Sequence, residues 1–150
     1  MAARFSPEME GAETVIARAD RLRTETIALA DEDARSYAAV LEAYRRPRDA
    51  ARSVAIEEAL GVAADIPLAV VERARDVGEL GLRVRRRGNP NLHGDAASAV
   101  LLADGAARSA AYLVELNVER GDLGTGRLEQ ATAWCAELDA MAVRVTEERR

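Results

Sequence analysis

Apolar side chains recur at steps of three and four along most of the chain, the spacing of one face of an α-helix. After a polar lead-in over Met1 to Gly11, neither glycine nor proline occurs until Pro47. Val15, Ile16, Ala19, Leu22, Ile27 and Leu29, then Tyr37, Val40, Leu41 and Tyr44, mark the apolar face of one helix, or of two in near-continuous succession. The acidic run Asp31-Glu32-Asp33 within this stretch reads as a solvated face or as a second helix start. Arg45-Arg46-Pro47-Arg48 ends it, because proline cannot continue a helix and cations suit its carbonyl end. A shorter helix is predicted from Asp49 to Ala64, weakened in its last turn by Gly61. Asp65-Ile66-Pro67 then supplies an N-cap and a first-turn proline for another helix, which carries Leu68, Val71, Ala74, Leu80, Leu82 and Val84 and stops at Arg85-Arg86-Arg87-Gly88.

The loop that follows, Gly88-Asn89-Pro90-Asn91-Leu92-His93-Gly94-Asp95, is the most polar corner of the chain. Pro90 fixes its own φ and pushes Asn89 out of helical space, and Asn91 or Asp95 is expected to accept from the first free N–H groups of the next helix. Two amides, the one histidine and a carboxylate thus gather at a helix N-terminus, whose positive end favours anionic and polar ligands. From Asp95 to Glu119 alanine, serine and glycine dominate, which predicts the most buried and central helix, with Gly105 at a close helix contact. Gly121-Asp122-Leu123-Gly124-Thr125-Gly126 is a connector. The last helix places Leu128, Ala131, Trp134, Cys135, Leu138, Met141 and Val145 on its apolar stripe, where Trp134 and Cys135 read as core.

A chain of 150 residues, 49% of them hydrophobic, suits one domain with one core. Aromatic residues make up only 3%, and β-branched residues never alternate as strands require, so the fold class is all-α, a single-domain bundle of five to six helices. All 21 basic residues are arginine, which excludes a lysine nucleophile or Schiff base. The net charge of −5, with no face both basic and aromatic, argues against a nucleic-acid partner. A single cysteine forbids an intrachain disulfide, and one histidine with one cysteine does not make an ordinary zinc site, so no metal is expected. No run of about 18 apolar residues and no signal pattern occurs, so a cytoplasmic protein without a membrane partner is expected.

Three segments carry a family resemblance: Asp31-Glu32-Asp33-Ala34 leading to Tyr37-Ala38-Ala39-Val40 and Tyr44, Ile66-Pro67-Leu68 in its helix, and Gly88-Asn89-Pro90-Asn91 with Gly94-Asp95-Ala96. Their order resembles the cyclodeaminase/cyclohydrolase family, which includes the C-terminal half of formiminotransferase-cyclodeaminase and stand-alone methenyltetrahydrofolate cyclohydrolases. The resemblance runs from Val15 to Arg150, the central loop being its most specific part. It implies an all-helical fold, a homodimer, and a tetrahydrofolate derivative as substrate with no separate cofactor. Its members close 5-formiminotetrahydrofolate to 5,10-methenyltetrahydrofolate with loss of ammonia, or hydrolyse the methenyl bridge to 10-formyltetrahydrofolate. The family's glycine-rich opening turn and the alanine-rich helix after it are not visible before Val15, so residues 1–150 are expected to form one domain lacking that helix.

A methenyl bridge is an amidinium-like cation attacked by water, and a nearby carboxylate both stabilises the charge and accepts the proton of the water. Asp95 is the first candidate, and Asp33 with Tyr37, one helical turn apart, is expected to reach the same cleft from its own subunit or from a dimer partner. Asn89 and Asn91 are placed to bind the pterin or hold Asp95, and His93 is a weaker candidate. Arg45, Arg46 and Arg48, or Arg85, Arg86 and Arg87, are candidates for the anionic folate tail. The rival reading is a non-catalytic helical protein whose alanine-rich surface serves self-association.

Overall fold

The computed structural model describes residues 2–147; Met1 and the last three residues of the expected domain lie outside them. Four helices form the bundle: α1 (Ala12–Arg45), α2 (Ala50–Arg87), α3 (His93–Gly121) and α4 (Gly126–Glu147). Two 3-10 turns, Ala2–Phe5 and Pro90–Leu92, precede α1 and α3, and the described residues contain no strand. The all-α reading holds. Four helices replace the expected five to six because two anticipated breaks are not taken.

The first is the acidic run, which stays inside α1 with Asp31, Glu32 and Asp33 solvated. The second is Pro67, which lies in the interior of α2 rather than in the first turn of a new helix. Proline removes one N–H and so orphans the carbonyl four residues back, here that of Ala63. The Nδ2 of Asn117, on α3, donates to that carbonyl at 2.8 Å, and the helix runs on. Asp65, expected as an N-cap, is an exposed residue of α2 that accepts from the Arg127 guanidinium of α4 at 2.6 Å.

The most central helix is α2, not α3. Its Val71, Ala74 and Leu82 meet Val100, Ala103, Ala107 and Ala110 of α3 and Ala131, Leu138, Ala142 and Val145 of α4 in the main core, with Trp134 and Cys135 packed against it at half-burial. Two glycines of α2 set these distances. A Cβ on Gly78 would stand 2.2 Å from Leu138 Cδ1, and one on Gly81 would stand 2.7 Å from Val100 Cγ2, so each permits close helix contact. Gly105 does no such work: it is exposed, with nothing within 4 Å of a Cβ placed there.

Two further departures bear on the site. Residues 2–11 are not a loose lead-in, since Met9 is buried with Val15, Val84 and Ala96 in a second cluster. Helix α1 rests on α2 alone through most of its length, and past Leu22 only Ser36 and Ala43 are buried. Tyr37, Leu41 and Tyr44 therefore stand exposed along its second half.

Candidate functional site

The central corner forms as proline dictates. Helix α2 ends at Arg87, and Gly88 allows the chain to turn because a Cβ there would lie 2.6 Å from the Val84 carbonyl and 3.0 Å from Ser6 Oγ. Asn89, not Asn91 or Asp95, supplies the side-chain cap: its Oδ1 accepts from Asn91 N–H at 3.0 Å, while α3 begins without one. The other end of the same amide, Nδ2, donates to the Phe5 carbonyl at 3.2 Å, and Asn89 N–H donates to Ser6 Oγ at 2.8 Å. Ser6 is buried and passes its own proton to the Ala2 carbonyl at 3.0 Å. The N-terminal turn is thus strapped to the loop by two hydrogen bonds, both from Asn89, while the Ser6 hydroxyl and the Asn89 Oδ1 brace the two sides.

Beside this strap runs an open groove of about 770 Å³, bounded by the first half of α1, the end of α2 and the first turns of α3, with Ala2 and Ala3 at one end. Its floor is apolar: Val15, Leu22, Val84 and Ala96 are buried. Ile27 and Leu102 also line it, and they are 63% and 75% exposed, large apolar side chains left without a covering neighbour. Only four lining side chains carry polar groups: Arg23 and Thr26 from α1, Asp95 and Ser98 from α3. Thr26 Oγ1 is turned back to the Leu22 carbonyl at 2.8 Å. The Asp95 carboxylate, in the first turn of α3, is exposed and has no hydrogen-bond or ion partner among the described residues.

Of the anticipated site residues, Asp95 alone lines the groove. Asn91 is exposed on the loop beside it. His93 is half-buried, and its Nδ1 accepts from the Arg85 guanidinium, an arrangement that places the neutral ring's proton on Nε2. Arg85 and Arg86 lie at the end of α2 outside the groove, as do Arg45, Arg46 and Arg48 at the far end of α1. Asp33 and Tyr37 are exposed on α1, about 9 and 15 Å further along the helix than Ile27 at 1.5 Å per residue, and do not meet Asp95 within the chain.

Arg23, Thr26, Ser98 and Leu102 were not anticipated. The spacing Asp95, Ser98, Leu102 is one helical face and was readable from the position of Asp95. Arg23 carried no such signal. Cys135 takes no part: burial pushes its thiol up, against the opposing pull of Arg108, which suits a core residue rather than a nucleophile.

Residues 2–122 match the family described as formiminotransferase-cyclodeaminase. A methenyltetrahydrofolate cyclohydrolase from Methylorubrum extorquens is 34% identical over 141 residues, covering 89% of this chain and 68% of the relative. Among solved structures, a formiminotetrahydrofolate cyclodeaminase from Thermotoga maritima superposes with a TM-score of 0.88 over 98% of this chain and 77% of its own, at 21% identity. That last likeness is one of fold.

Proposed function

Because the chain belongs to the formiminotransferase-cyclodeaminase family, we propose that its groove binds a tetrahydrofolate derivative and that Asp95 assists hydrolysis of a methenyl bridge. The observation that carries this reading is a carboxylate without a partner among the described residues, at the wall of an apolar groove. Flat aromatic rings suit the apolar walls, and a carboxylate beside a cationic bridge meets its charge where the surrounding surface offers little competing polarity. Water adds to the bridging carbon as Asp95 accepts its proton. Collapse of the resulting carbinolamine forms the formyl carbonyl and breaks the bond to N5, which takes up a proton. The net change consumes one water and releases one proton. The same carboxylate, protonated, is placed to assist departure of ammonia from a formimino group, so the two family activities differ by substrate and not by the residue invoked.

The reading includes a homodimer. Tyr37, Leu41 and Tyr44 leave the second half of α1 apolar and uncovered, and a second copy packed there is the route by which Asp33 and Tyr37 reach a groove.

The test is one assay with two substrates, following loss of the methenyl chromophore and release of ammonia from 5-formiminotetrahydrofolate, beside thermal unfolding with and without folate. A ligand selective for the folded chain must raise its melting temperature. No turnover and no thermal shift would favour the self-association reading, which the exposed apolar side chains also suit.

A further inference from the structure

The groove carries charge at two places along its length, and their separation bears on how a ligand lies in it. Asp95 adjoins Ala96, which packs with Val15 and Val84 in one cluster, so the carboxylate belongs to the end of the groove nearest the N-terminal strap. Arg23 is on the opposite wall, eight residues beyond Val15 on α1, which sets it about 12 Å further along. Among the described residues its guanidinium is the single cation lining the groove, is exposed, and has no ion partner. Thr26 and Ile27 follow one turn on, and Leu102 faces from α3.

On the reading of the groove as a folate site, we infer that Arg23 receives the carboxylates of the ligand's glutamate. A reduced folate with a cationic bridge is charged at two points, positive at the bridge and negative at the glutamate, with an apolar aminobenzoyl ring between. Bond lengths put these points roughly 10 Å apart, comparable with the offset of Asp95 from Arg23. The charge order in the groove is the complement of the charge order in the ligand: carboxylate at one end, apolar walls between, guanidinium beyond. Guanidinium is the planar donor that matches a carboxylate with two parallel hydrogen bonds, so the arrangement also fixes which way round the ligand enters. Arg23 is a binding residue on this account, holding the glutamate at the far end of the groove without touching the reacting carbon.

The experiment compares two ligands and three proteins by calorimetry, then by kinetics. The ligands are 5-formyltetrahydrofolate and a counterpart whose glutamate is replaced by a neutral amide. For the unaltered chain the glutamyl ligand is expected to bind at least about tenfold more tightly, a modest return for a charge-assisted pair. Arg23→Gln should abolish that preference while leaving binding of the neutral amide unchanged, and Arg23→Lys should keep part of it. In turnover of 5,10-methenyltetrahydrofolate, Arg23→Gln should raise KM by the same factor with kcat held within about twofold, as loss of uniform binding requires. Equal binding of both ligands by the unaltered chain, or an equal loss of both in Arg23→Gln, overturns the assignment of Arg23 while leaving the groove a folate site. Failure of the unaltered chain to bind either ligand removes the folate reading itself, and this inference with it.

Discussion

Asn117 Nδ2 stands 2.8 Å from the Ala63 carbonyl, the one acceptor that Pro67 deprives of its helical partner. That bond joins α3 to the middle of α2 and lets a helix interrupted by proline run unbroken from Ala50 to Arg87. Asn117→Ala leaves a partly buried carbonyl without a donor and is expected to cost about 1–3 kcal/mol. In the Pro67→Ala background the restored N–H takes the same carbonyl, so the second substitution should cost measurably less. A double-mutant cycle by urea denaturation checks this, and additive losses would mean that Asn117 stabilises by packing alone.

Asp95→Asn keeps the shape of the first turn of α3 and removes the charge. With no partner to lose among the described residues, the variant should stay within about 1 kcal/mol of the parent, the size of a helix-terminus charge effect. Its turnover of the methenyl substrate should fall by about 10²- to 10⁴-fold, the range for a positioned acid or base. His93→Ala should lose far less, because His93 is turned to Arg85 outside the groove. Unchanged turnover in Asp95→Asn would place the proton acceptor elsewhere.

Glycines of opposite character give a paired test of the packing. Gly81→Ala sets a methyl 2.7 Å from Val100 Cγ2 and 3.2 Å from the Ala96 carbonyl, both on α3, and Gly81 and Ala96 line the groove. Overpacking of that kind costs typically about 1–3 kcal/mol, and the displaced α3 should weaken ligand binding as well. Gly105→Ala meets nothing within 4 Å and removes a flexible residue from a helix interior, so it should raise stability by about 0.5–1 kcal/mol. Thermal unfolding of the two variants should move in opposite directions.

The period of apolar residues was enough to place α1, α3 and α4 and the corner before α3, since each depends on residues close in sequence. Gly88 and Pro90 stop one helix, and the polar turn after them starts the next. What could not be read were partners brought from far along the chain. Pro67 breaks a helix unless a donor reaches the freed carbonyl, and the donor lies 50 residues on at Asn117. Residues 2–11 are too short for any periodicity to show, yet Ser6 and Met9 are buried because the end of α2 returns beside them. Asp95 was legible as a first-turn carboxylate in a polar corner. Arg23 was not, because an arginine on an amphipathic helix looks the same whether it faces water or a groove.

The strap between the N-terminal turn and the loop yields its own test. Ser6→Ala removes the acceptor for Asn89 N–H and the donor to the Ala2 carbonyl, two bonds at about 0.5–1.5 kcal/mol each. Because Ala2 and Ala3 form one end of the groove, this loss should weaken folate binding as well as stability. Hydrogen exchange should show faster exchange at Asn89 and Asn91, with the amides of α4 unaffected. Uniform destabilisation of all four helices would assign the strap to general stability only.

Self-association joins the uncovered half of α1 to the question of the site. Tyr37 is 63% exposed, and Leu41 and Tyr44 extend the same apolar stretch, a surface that a second copy would bury. Light scattering at micromolar concentration should give a dimer, and Tyr37→Glu, which sets a charge in that contact, should give a monomer that keeps its helical circular dichroism. If a groove is completed by Asp33 from a second copy, mixing Asp95→Asn with Asp33→Asn chains under exchange should restore turnover that neither variant has alone, because one site in the mixed dimer then holds both native carboxylates. A wild-type monomer under these conditions would remove the dimer. A dimer whose mixed variants recover nothing would keep Asp33 and Tyr37 as interface residues and leave the chemistry to the groove of a single chain.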